Sequence, residues 1–95
     1  MAFQFRRPNP VFSDEYRALL EVVRRARSRS GLSQKALADK IGKAQSHIFM
    51  IERGQRRIDS LELYFMAKAT GLEPEELFGQ IVRRVDAVAE ATSSS

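Results

Sequence analysis

The sequence predicts an all-α fold, a compact bundle of about five short helices. Three observations carry that reading. Apolar residues recur at helical spacing in one segment after another, and glycines punctuate the ends of those segments. No stretch alternates apolar and polar residues or carries an Asn-Gly hairpin turn.

The elements follow in order. Residues 1–12, with Pro8, Asn9 and Pro10, read as an irregular arm whose Phe3, Phe5, Val11 and Phe12 are available for packing. Ser13 caps a first helix with Asp14 and Glu15 at its positive end. Tyr16, Leu19, Leu20 and Val23 form its apolar stripe, arginines crowd its last turns, and Gly31 stops it. Ser33 caps a helix of about two turns carrying Leu37, Ala38 and Ile41, ended by Gly42. A third helix runs from about Gln45 to Arg53 with Ile48 and Ile51 inward. Asp59 and Glu62 make a capping-box start for a fourth, to which Leu61, Phe65 and Met66 give an apolar side. Pro74 opens a fifth through Leu77, Phe78, Ile81, Val82, Val85 and Val88, which Gly79 either interrupts or does not.

Composition narrows the function classes. The chain has no cysteine and a single histidine, His47, so neither a disulfide nor a thiolate zinc site is expected. The glycines lie at helix ends and form no phosphate cradle, and the carboxylates show no catalytic or metal spacing, so neither an enzyme nor a cofactor is expected. No apolar run approaches the roughly 20 residues of a membrane span, and MAFQFRRPNP lacks the apolar stretch of a secretory signal. The expected location is the cytoplasm. Residues 24–57 hold ten basic residues against two acidic ones, a local +8 in a chain of net +4. That segment fits a polyanion-binding face, or a merely solvated one.

The informative stretch is residues 34–53, QKALADKIGKAQSHIFMIER. Two short helices that cross closely need a small residue at the crossing and a turn residue tolerant of positive φ; Ala38 and Gly42 stand at those places. Leu37, Ile41, Ile48 and Ile51 supply the shared core. At this point the sequence resembles the phage-repressor-like (Cro/repressor, XRE) helix-turn-helix family, from about Val22 to Phe78. The matching segments are G31-L-S-Q, L37-A-x-x-I-G, I51-E-R-G, S60-L-E-L-Y-F-M-A-K-A-T-G-L and E75-E-L-F.

The resemblance implies a lambda-repressor-like bundle and a division of labour on duplex DNA. Gln45, Ser46 and Met50 match outward positions of the recognition helix that face the major groove, and His47 beside them matches a place from which a base edge or phosphate is reached. Gln34 matches a phosphate contact at a helix start, and Arg53, Arg56 and Arg57, with Gln55, match the segment that grips the backbone. Lys43 adds positive charge at the turn. Arg27 matches a position that pairs with the glutamate corresponding to Glu52. The implied domains are an arm at 1–12, a helix-turn-helix DNA-binding domain at 13–79, a helical extension at 80–91 and a tail at 92–95.

The implied function is a sequence-specific transcriptional regulator, a repressor working as a homodimer on a palindromic operator. Its recognition helices would stand about 34 Å apart. Ile81, Val85 and Val88, with Val82 beside them, are the candidate pairing stripe; intramolecular core fits them equally. Three positions depart from the family pattern. Ala44 replaces the usual Ser or Thr cap, Lys43 a residue that is often apolar, and Phe49 and Met50 residues that are usually polar or basic. Met50 suits a thymine methyl. Phe49 either folds onto the core or the arm, or joins Met50 in an apolar surface for another protein. That last option defines the alternative function, an interaction or antitoxin-like module with a protein partner.

Overall fold

The computed structural model describes residues 13–93. The arm at 1–12 and the end of the tail lie outside the described residues. Among those described, five helices and no strand are found: α1 (Asp14–Arg29), α2 (Gln34–Ile41), α3 (Gln45–Glu52), α4 (Ser60–Ala69) and α5 (Pro74–Ser93).

The caps explain most of the boundaries. Ser13 Oγ accepts from Tyr16 N–H, and Ser33 Oγ accepts from Ala36 N–H, each satisfying a donor that the first helical turn leaves free. Asp59 and Glu62 complete a reciprocal capping box at α4, with bonds of 2.7 and 3.1 Å. Gly42 closes α2 in the left-handed region at φ 73°.

The helices pack around one core. Its fully buried side chains are Leu37, Ile48, Ile51, Met66 and Leu77. α1 lies chiefly along α5, and α2 sits against both α3 and α4. Tyr16 secures the front of α1, its hydroxyl accepting a 3.1 Å hydrogen bond from Ile58 N–H just before α4.

Two alternatives left open by the sequence are decided here. α5 runs unbroken through Gly79, so the expected division at 79/80 falls within one helix. Ile81 is buried in the core and Val85 packs on it, because this row of α5 faces α1. Only Val82 of the candidate pairing stripe is exposed, with Val88 half-buried in a shallow cleft beside Asp14 and Ala18. The apolar side of α4 also divides. Met66, Ala67 and Leu63 face the core, whereas Leu61 and Phe65 face outward.

Candidate nucleic-acid interface

The helix-turn-helix is built by α2, the turn at 42–44 and α3. Ala38, fully buried, brings α2 close to α3, since any longer side chain would hold the helices apart. The chain then reverses over a tight bond from Lys43 N–H to Ala38 O (2.9 Å), with Gly42 supplying the positive φ. Ile48 and Ile51 bury one side of α3 completely.

The other side of α3 is open. Gln45, Ser46, Phe49 and Arg53 are exposed and Met50 is half-buried, so these five side chains form the outward surface. The guanidinium of Arg53 lies 5.4 Å from the centre of the Phe49 ring, a cation–π arrangement. Phe49 is therefore not part of the described core; it stands 42% exposed. No side chain caps α3, because Ala44 at the N-cap has no oxygen to offer. The start of α3 is thus open, unlike the side-chain-capped starts of α1, α2 and α4.

His47 is placed differently from its expected role. It is buried, and its Nε2 is hydrogen-bonded to Glu62 Oε2 at 2.7 Å. The physical reason is helical phase. His47 and Ile51 are four residues apart and share a row, so the histidine turns inward with the isoleucine. Glu62 consequently serves two elements, closing the capping box of α4 and holding α3 by its histidine. Lys43 Nζ stands 4.0 Å from the same carboxylate, half-exposed at the turn. Sequence reasoning missed this join, although the spacing of His47 from Ile51 was its signal.

A second join is deeper. Arg27 Nε and Nη2 donate to the two oxygens of Glu52 at 2.6 and 3.1 Å, while Nη1 donates to Leu32 O at 2.9 Å. Gln34 Nε2 donates to Glu52 Oε1 at 2.9 Å. The side chain of Gln34 is therefore engaged inside the fold, and what it presents outward is the start of α2. Among the described residues no buried side-chain polar atom lacks a partner. Three hydrogen bonds to one nearly buried carboxylate offset the cost of removing it from water.

The cations at the ends of α3 complete the surface. Lys43 precedes it, and Arg53, Arg56 and Arg57 follow it, all exposed to solvent. Arg27 contributes no outward charge, being neutralised by Glu52. Among the described residues no group of three or more potential metal ligands occurs, and no helix is long and apolar enough to cross a membrane.

Comparison with known proteins agrees with this geometry. The model of a helix-turn-helix family matches residues 23–77. A solved structure described as an XRE-family like protein from Pseudomonas syringae pv. tomato str. DC3000 is 33% identical, with a TM-score of 0.68. The match covers 73% of this chain and 84% of that one. No curated protein matches.

Proposed function

Because the chain belongs to the XRE-like helix-turn-helix family of DNA-binding regulators, we propose that it is a homodimeric repressor acting on a palindromic duplex operator. The observation that carries this reading is the surface of α3, an open row of side chains bracketed by exposed cations. In this role Gln45, Ser46 and Met50 read base edges. Gln45 offers a donor and an acceptor together, which suits adenine, and Met50 offers apolar contact to a thymine methyl. Lys43, Arg53, Arg56 and Arg57 meet phosphates, giving salt-dependent affinity without sequence preference. At Gln34 the phosphate is met by backbone N–H groups of α2, its amide being held by Glu52. His47 acts from behind, by holding α3 against Glu62.

The test is selection from random duplexes, followed by affinity measurements on the selected site. Gln45→Ala lowers affinity for that site and leaves scrambled DNA unaffected. Arg57→Ala weakens both alike and reduces the slope of log K against log salt by about 0.9. A chain that binds no duplex even at low salt removes the proposal.

The exposure of Phe49 favours one specific alternative, in which the outer face of α3 docks an apolar site on another protein. A stoichiometric partner in host extracts, lost on Phe49→Ser while duplex binding persists, supports that second reading.

A further inference from the structure

The helix α4 is apolar on both sides. Its inner face holds Met66 and Ala67 in the core, and its outer face carries Leu61, Tyr64 and Phe65 at spacings of three and four. Leu61 is 62% exposed, the highest among the exposed large apolar side chains of the described residues. A helix with apolar residues all round is ordinarily enclosed on both sides. We propose that the outer face of α4, extended by Phe78 and Val82 of the adjoining α5, pairs with the same face of a second copy of this chain. The inference rests on the homodimer reading above and supplies the surface it lacks, since Ile81 and Val85 are occupied within the fold.

Area, charge and geometry select a second copy as the occupant. Side chains of this size carry on the order of 200 Å² each, and five at about half exposure offer about 500 Å² per copy. A symmetric pair then buries about 1,000 Å², which reaches the threshold for a specific interface. A two-fold contact sets the same patch of both copies face to face, so a patch with a strong net charge opposes its own sign. Leu61, Tyr64 and Phe65 are uncharged, and Lys68 at their edge is balanced by Glu73 at 3.7 Å. The segment around α2 and α3 carries +8 and would repel its own copy. The face is also ordered in advance: Tyr64 and Phe65 meet edge to face at 5.3 Å between ring centres. Because the inner side of α4 grips His47 of α3 through Glu62, pairing through its outer side fixes the two recognition helices about one axis.

Sedimentation of the full chain without DNA tests this directly. The wild type is expected to sediment as a concentration-dependent dimer. Leu61→Lys and, separately, Phe65→Glu raise the dimer dissociation constant at least about tenfold with unchanged helical circular dichroism, because both side chains lie outside the core. On DNA, the same variants keep half-site binding and lose the preference for a full palindrome. A wild type that stays monomeric overturns the proposal, as does a dimer that both folded variants leave intact. A chain that dimerises through α4 yet binds no duplex leaves the surface standing and removes the operator reading instead.

Discussion

Arg27 and Glu52, twenty-five positions apart, meet through two hydrogen bonds that pin the last turn of α1 to the end of α3. Both side chains are largely buried, so the pair holds α3 against α1 from inside the fold. Removing one partner strands the other in a poorly hydrated site. Glu52→Ala is expected to cost about 3–5 kcal/mol in urea unfolding. The double change Arg27→Met with Glu52→Leu restores much of that, since apolar side chains of similar volume need no partners. A double variant no more stable than Glu52→Ala would show that the pair is not what couples these helices.

Gly42 and Gly79 make opposite predictions. At Gly42 an added Cβ meets nothing within 4 Å, so the cost of Gly42→Ala comes from its φ of 73° alone, about 1–2 kcal/mol. Gly42→Asn costs less, because asparagine tolerates that conformation. Gly79 lies inside α5, where a Cβ meets only the end of Arg83 at an ordinary 3.6 Å. Gly79→Ala therefore stabilises the chain by about 0.5–1 kcal/mol. Thermal or urea unfolding of the three variants checks the ordering.

These two glycines also show what the sequence made legible. Stripes at helical spacing, capping residues and glycine stops are local signals, and the five helices follow from them. Gly79 carries the same stop signal without ending a helix, because the packing of Leu77 and Ile81 on either side of it holds the helix through the weak point. Outward exposure of Gln45 and Ser46 accords with local phase, as does the inward turn of His47, which position in the motif obscured. The Arg27–Glu52 pair was legible only through family resemblance, since no local rule joins residues so far apart. Apolar spacing could not separate the two faces of α4, because both faces are apolar.

His47 distinguishes a base reader from a residue that positions the helix. His47→Ala leaves Glu62 short of a buried partner and is expected to cost about 1–3 kcal/mol of stability. Below the unfolding transition it weakens binding to selected and scrambled duplexes by similar factors, and repeated selection returns the wild-type site. His47→Gln, which keeps a donor, recovers part of both losses. A changed consensus from the alanine variant would instead place His47 at a base.

Glu21 governs a modest acid sensitivity. The hydrogen bond from Arg84 Nε, 2.8 Å long, is the main cause holding its carboxyl below the ordinary glutamate range, with Arg25 adding a 3.1 Å partner and Arg24 further positive charge. A carboxyl whose pKa is lowered on folding binds fewer protons than in the unfolded chain. Its contribution is therefore full above the ordinary glutamate value and is lost as pH falls through that value to the folded one. The melting temperature of Glu21→Gln should fall less on acidification than that of the wild type. The difference shrinks in high salt, because Arg25 and Arg84 are well exposed.

Ala44 sets the last prediction, a trade between stability and binding. Ala44→Ser gives α3 the side-chain cap it lacks and should stabilise the free chain by about 1 kcal/mol. If the open start of α3 receives a phosphate, the new hydroxyl competes for the same N–H groups, and duplex affinity falls. If no phosphate sits there, the cap stabilises free and bound chains equally and affinity is unchanged. Unfolding and duplex titrations on one preparation separate these outcomes. The comparison isolates the helix start from the side chains of Gln45 and Ser46, which the substitution leaves in place.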